Sequence, residues 1–346
     1  MATTPKRPTT LTAVSPAHTA YPSTLRRLRA NEHIRELAAT VRVDAREFIQ
    51  PLFVDESLSE RMPVQHLPGV YAETLNSVLA TVEADLEAGV RKFLLFPVPA
   101  TKSEHVFCFD GASSAVAALK SRFGNDVWLA ADLCLCSYTT HGHCGIVNAE
   151  GTRLLNNETV QLLAHYAERL AEAGADCIAP SDMNDGRVRA LRQRLDETGY
   201  DHVAILSYAA KFASKLYGPF RDVCKSTPSS AVRLEGRTSY QISPDNLYDA
   251  VQSALRDLSE GADMLMVKPA GWYLDVVAHI RQHTQVPLAV YHVSGEYAAL
   301  EQMVANGLLE RGAAHVELWT ACKRAGANII ISYAARQAAS WLVQEV

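Results

Sequence analysis

The chain has no surplus of basic residues. Its 33 Lys and Arg face 38 Asp and Glu, for a net charge of -5. That removes the electrostatic footprint expected of a protein whose main partner is nucleic acid or an anionic membrane. No apolar run is long enough to span a bilayer. Residues 1–24 are rich in Thr, Pro and Ala and lack the apolar core of a secretory leader. Cysteine is sparse and odd in number, seven in 346 residues. Together these two features lead us to expect reduced thiols in the cytoplasm rather than a disulfide framework. A Gly-x-Gly-x-x-Gly after the first apolar stretch is also missing, which weakens the case for a doubly wound dinucleotide-binding sheet.

What is present is a rhythm. Hydrophobic residues make up 48% of the chain, ample for a large core. Residues 1–45 read as an N-terminal arm that packs on a neighbouring subunit, or as a disordered tail. Proline punctuates their start, and a short helical patch covers 33–39. From Phe48 onward, apolar strand candidates at 48–54, 92–97, 127–135, 176–179, 202–207, 263–267, 287–292 and 328–332 alternate with helical patterns. Most of those patterns end in a glycine, as helices feeding a parallel sheet do. Eight strand–helix units over residues 46–346 predict an α/β fold, a TIM (β/α)8 barrel preceded by an extended arm. The connection 217–244 is long and rich in Ser, Pro, Gly and Arg, the composition of a functional loop or lid.

The stretch 261–272 carries the clearest chemistry. Met264–Val267 is apolar at every position, as in a strand buried on both faces, and Lys268 follows at once. Desolvating an ammonium there favours its neutral form, a nucleophilic amine able to form a Schiff base. A solvated lysine at the strand end is the plain alternative. Lys211 follows the fifth strand candidate as Lys268 follows the sixth, and adjacent strands lie about 4.8 Å apart. The two amines therefore could face one cavity. Lys211 stands near Ser207 and Tyr208, a more polar run than the one before Lys268. In a barrel the active site lies at the C-terminal strand ends, which also carry Asp132, Ser181, Asp182, Ser294, Glu296 and Tyr333.

After the third strand comes a thiol-rich loop, with Cys134, Cys136 and Cys144 around His141 and His143. Three soft ligands in one loop suit zinc. Either a fourth position stays open for water or substrate, or a histidine closes a structural Cys3His site. The other four cysteines read as packing residues.

The runs Cys-Leu-Cys-Ser-Tyr-Thr-Thr-His-Gly-His-Cys-Gly, Ala-Pro-Ser-Asp-Met, Ala-Lys-Phe-Ala-Ser, Tyr-Gly-Pro-Phe-Arg-Asp, Met-Val-Lys-Pro and Tyr-His-Val-Ser-Gly-Glu occur here in one order. From Phe48 to the end the chain resembles the porphobilinogen synthase, or 5-aminolevulinate dehydratase, family. The resemblance implies a TIM barrel with an N-terminal arm, usually a homo-octamer. It implies condensation of two 5-aminolevulinates to porphobilinogen with loss of two waters, in tetrapyrrole (heme) synthesis. Carried over by motif, Lys268 would hold the substrate that becomes the propionate side, and Lys211 the one that becomes the acetate side. Ser294 and Tyr333 would meet the first carboxylate. Arg221, with Arg237 and Gln241, would clamp the second, and Arg233 competes with Arg237 for that place. Asp132 and Ser181 would line the amino end, and Cys134, Cys136 and Cys144 would hold the zinc. Ser253 stands where members activated by magnesium carry a glutamate, and Arg256 supplies a positive charge one turn later, so no magnesium requirement is expected. Two other readings remain: a class I aldolase, which needs no three-thiol loop, and a zinc-stabilised scaffold without activity.

Overall fold

The computed structural model describes residues 25–230, 232–234 and 236–344. The chain separates into two compact units, one up to Thr40 and one from Val41. The described part of the first holds a 3-10 turn, Leu25–Arg29, and helix α1, Glu32–Ala38, with Asn31 as its cap. Asn31 Oδ1 accepts from the Ile34 N–H at 3.0 Å, meeting one of the donors that a helix start leaves unpaired.

The second unit is a closed barrel. Among the described residues, eight parallel strands follow one another in chain order: β1 Phe48–Asp55, β2 Lys92–Val98, β3 Trp128–Leu133, β4 Cys177–Pro180, β5 Ala204–Lys211, β6 Met264–Lys268, β7 Leu288–His292 and β8 Ile329–Ser332. Pairing of Phe48 with Ile330 and of Ile49 with Ile331 closes β8 on β1. The expected TIM barrel is what forms. Its strands are buried on both faces, so their apolar runs need no alternation. Helices α2 Ser77–Glu87, α3 Asp110–Phe123, α4 Asn156–Glu172 and α5 Arg187–Glu197 cover the first half. After a short α6, Gly218–Val223, helices α7 Leu247–Ser259, α8 Leu274–His283, α9 Ser294–Ala305, α10 Arg311–Ala325 and α11 Ala335–Gln344 complete the outer layer. Gly261 and Gly326, which end α7 and α10 just before a strand, sit at φ of +107° and +114°, where a side chain would be strained.

Three local differences from the sequence expectation matter. Strands β5 and β6 run on to include Lys211 and Lys268, because each lysine pairs with the other before the sheet ends. The connection after β5 contains α6, too short to announce itself by periodicity, with Pro219 in its first turn, where a missing N–H costs nothing. A small antiparallel pair, Met62–Pro63 with Tyr71–Glu73, extends the sheet beside β1.

Strand β5 is irregular. Leu206 and Ser207 pair with Met264 and Leu265, but Ala210 and Lys211 pair with Val267 and Lys268. Three steps on β5 therefore match two on β6, a bulge of one residue around Tyr208 and Ala209.

Candidate active site

Lys211 and Lys268 are register partners at the C-terminal ends of neighbouring strands. Both amines approach the Tyr208 ring, Lys211 Nζ at 5.6 Å from its centroid and Lys268 Nζ at 5.1 Å. Their further surroundings differ. Lys268 Nζ also lies 4.1 Å from the ring of Tyr291 on β7, 4.6 Å from Phe220 and 5.4 Å from Tyr217. Aromatic faces favour a cation, but burial wins here. With the positive charge of Lys211 adding to it, burial lowers Lys268 to about 7. Lys211 Nζ instead donates to the Ser181 carbonyl at the end of β4.

The polar surroundings of Lys211 thus come from Ser181. Ser207, which the sequence puts nearby, turns outward, and its hydroxyl donates to Asp257 on α7 at 2.6 Å.

Asp132, on β3, is buried with its Oδ1 unpartnered among the described residues. Burial raises it to about 7, opposed by the charge of Lys211. A carboxyl raised and an amine lowered toward neutral pH thus feel each other's charge, the pattern expected where protons are moved.

Cys134, Cys136 and Cys144 are buried, and their sulfurs lie within 4.8 Å of one another. Hydrogen bonds from the Cys134 and Cys144 thiols hold Cys136 well below its ordinary range. Three soft donors converging on one point, one of them readily a thiolate, fit a thiophilic divalent cation such as zinc. Among the described residues neither histidine joins this group. His141 Nδ1 accepts from the His143 N–H at 3.1 Å, and His143 Nδ1 faces the Tyr240 hydroxyl at 3.1 Å. A closed Cys3His site would need one of these rings to turn toward the thiols.

The segment between β5 and α7 folds over this end of the barrel. Ala213 and Ile242 tie its two ends together, the Ala213 N–H donating to the Ile242 carbonyl at 2.8 Å. Its middle is anchored by Lys225 Nζ on Asp55 at 2.7 Å and by the Ser229 N–H on the His141 carbonyl at 3.1 Å. Helix α6 brings in Phe220, whose ring packs against Phe53 and Phe96 with centroids at 5.8 and 5.1 Å. Gly142 lets the thiol loop touch this segment: a Cβ there would lie 2.5 Å from the Thr227 carbonyl oxygen, and its φ is +73°.

The remaining candidates are also placed. Arg221, on α6, is half-buried, with its Nε unpartnered among the described residues. Burial and the Arg237 charge lower its pKa. Arg237 is buried, its Nη2 donating to the Gly142 and Ser226 carbonyls at 3.0 and 2.6 Å. Arg233 is exposed, and its backbone N–H donates to the Gly151 carbonyl at 2.8 Å. Of the two lid arginines, Arg237 is thus the one turned inward. Gln241 is buried with both ends of its amide unpartnered among the described residues, as a group waiting for a polar ligand would be. Ser294 opens α9, and its Oγ accepts from the Phe220 N–H at 3.1 Å. Tyr333 follows β8 and receives the Tyr291 hydroxyl at 3.3 Å. Arg256 pairs with Asp185 and Asp257 at 2.5 and 3.1 Å, and with Ser253 and Gln241 it lines a cavity of about 550 Å3.

Sequence reasoning missed the rings around Lys268. Tyr217 and Phe220 lie in a motif noted for its arginine, and Tyr291 looks like any core strand residue. It also missed Glu296 as a brace. Its carboxylate accepts from the N–H groups of Val293, Gly271 and Ala270 at 2.9, 2.7 and 3.4 Å, joining the turn after Lys268 to the start of α9.

Known proteins share this sequence and this barrel. The delta-aminolevulinic acid dehydratase family profile matches residues 23–341. The delta-aminolevulinic acid dehydratase of Helicobacter pylori is 43% identical over 323 residues, covering 92% of this chain and 98% of the relative. That of Bacillus subtilis is 38% identical over the same shares. The porphobilinogen synthase of Toxoplasma gondii, solved with the reaction product porphobilinogen, superposes with a TM-score of 0.89 at 38% identity, covering 94% of this chain and 92% of that one. The chain belongs to the delta-aminolevulinic acid dehydratase family, and with it to the hydro-lyases of tetrapyrrole synthesis.

Proposed function

We propose that the protein condenses two 5-aminolevulinates to porphobilinogen, holding them as Schiff bases on Lys268 and Lys211. The observation that carries this reading is the pairing of the two lysines in register, with one amine lowered to about 7. Near neutral pH a large fraction of Lys268 is then free amine, ready to attack a ketone. Each Schiff base expels one water. Release of both lysines as the ring closes returns the catalyst and accounts for the two waters lost. Asp132, whose carboxyl burial holds well above the usual range, is the group suited to exchange protons with the substrate amine. Ser294 and Tyr333 suit the carboxylate of the Lys268 substrate. Arg221, Arg237 and Gln241 suit that of the second, since guanidinium forks match carboxylates. Ser181 completes the wall around Lys211.

Cys134, Cys136 and Cys144 would hold a zinc ion, which when bound supplies a Lewis acid beside the second substrate. The lid excludes water from the amines, and its aromatic side chains keep Lys268 desolvated.

We also read residues 1–45 as an arm that reaches a neighbouring subunit in a cytoplasmic homo-octamer. The family resemblance supports this reading, and the solution mass by light scattering tests it. Incubation with 5-aminolevulinate and a colorimetric assay for pyrrole tests the activity: pyrrole must form. Schiff base formation without pyrrole would favour an aldolase-like reaction, and neither would leave a scaffold.

A further inference from the structure

We propose that Arg187 and Asp257 are positioning residues that set Lys211 in place through the bulge of β5. The inference rests on the reading of Lys211 as the second amine.

Side chains on a strand alternate between faces, and a shift of one residue moves each to the other side. On β5, Ser207 faces out to α7 and Tyr208 faces the amines. Regular alternation from Tyr208 would turn Lys211 outward, three residues on. The extra residue between Ser207 and Ala210 corrects that parity, so that Lys211 faces Lys268. The bulge is therefore what brings the second amine to the side of the first.

A bulge interrupts the ladder and leaves backbone groups in need of partners. Here the partner is Arg187, at the start of α5. Its Nη2 reaches the Tyr208 carbonyl and Ser207 Oγ, both at 3.3 Å, and Asp257 Oδ2 at 3.0 Å. The same guanidinium holds the other support of Lys211. Its Nη1 donates to the Asn184 carbonyl at 3.0 Å, and its Nε lies 3.6 Å from Asp182 Oδ1. Asp182 in turn accepts from the Asn184 N–H at 2.9 Å. Asp182 directly follows Ser181, whose carbonyl receives the Lys211 amine. One side chain thus fastens both the strand beneath Lys211 and the turn that its amine leans on. Asp257 fixes Arg187 from the helix side and is itself met by Arg256 at 3.1 Å.

Arg187, Asp182 and Asp257 are 0% exposed. Buried ion pairs contribute little net stability, because desolvation offsets their attraction. Geometry is the better account of their presence. The cluster's bonds among the described residues lead to the strand and turn that support Lys211, and none of them to Lys268, so its loss should affect the two amines unequally.

The test uses the full-length, zinc-replete protein, with Arg187→Lys and Ser207→Ala as variants. Each is treated with 5-aminolevulinate, reduced with borohydride, and mapped by peptide mass spectrometry. We expect the adduct on Lys268 to stay within about two-fold of wild type. The Lys211 adduct and pyrrole formation should fall together, on the order of 10- to 100-fold in Arg187→Lys, the scale of a displacement near 1 Å, and less in Ser207→Ala. Near-ultraviolet circular dichroism reports whether each variant is folded. A folded variant with wild-type Lys211 adduct and turnover overturns the proposal, and so does parallel loss of both adducts, which marks a general structural role. If Arg187→Lys does not fold, Ser207→Ala, which removes one hydroxyl only, decides by the same criteria. Wild-type protein with no adduct on either lysine instead overturns the lysine reading beneath the proposal.

Discussion

The amine of Lys268 lies 4.1 Å from the centre of the Tyr291 ring, enclosed by aromatic side chains from β5, β7 and the lid. Such a site keeps water away from the amine and makes its charge expensive, and the nearby Lys211 charge acts in the same direction. Capture of substrate by Lys268 should therefore rise with pH through a midpoint near 7. Lys211→Met removes a positive neighbour and should move that midpoint upward, by about one unit or more. Borohydride-trapped adduct measured against pH checks this. An unchanged or lowered midpoint would argue that the two amines do not sense each other.

The lysines should fail differently when removed. Lys268→Ala should abolish the early adduct and reduce turnover by orders of magnitude, since the first nucleophile is gone. Lys211→Ala should retain the Lys268 adduct and make no pyrrole. Near-normal turnover in Lys211→Ala would refute its role.

Metal removal should separate chemistry from stability. The three thiols lie in one loop beside a barrel whose core is built independently of them. A chelator should abolish pyrrole formation while far-ultraviolet circular dichroism and the melting temperature stay nearly unchanged. Collapse of the fold on chelation would make the metal structural.

Magnesium should not activate the zinc-restored enzyme. Arg256 already places a guanidinium between Asp185 and Asp257, and Ser253 turns its hydroxyl to Asp249 at 3.3 Å. A rate that stays flat on magnesium titration is expected; a several-fold rise would contradict it.

Acid should act on the fold through His292. It is fully buried at the end of β7, with Nδ1 on Ser332 Oγ at 3.1 Å. Burial, reinforced by His315, lowers it to about 3, whereas an unfolded histidine titrates near 6.5. Below pH 6.5 the unfolded chain binds the extra proton, so stability falls as pH drops and this contribution levels off near 3. The slope is about 1.4 kcal/mol per pH unit for one group. Urea unfolding between about pH 6 and 4 should show a shallower dependence for His292→Gln by roughly that amount. Equal slopes would mean that His292 is not held neutral.

Much of this was legible in the residues. An apolar run broken by Lys268, glycines closing helices before strands, and three cysteines in one loop each carry their meaning locally. The barrel and the two lysines follow from them. The bulge of β5 does not, because one extra residue changes neither composition nor apolarity. Ser207 therefore read as a neighbour of Lys211 although it faces Asp257. Arg187 carries no local signal of its role, and only the closed barrel brings it to the Tyr208 carbonyl. The lid helix was hidden by its six-residue length, and the ring of Tyr291 by its place in a wholly apolar strand.

The most direct test of the account is the identity of the first amine to capture substrate. Wild-type enzyme is mixed briefly with limiting 5-aminolevulinate, reduced with borohydride, digested and mapped by mass spectrometry. The account predicts the adduct on the peptide that contains Lys268, with Lys211 labelled only as substrate approaches saturation. An early adduct found mainly on Lys211, or on neither lysine, would contradict it.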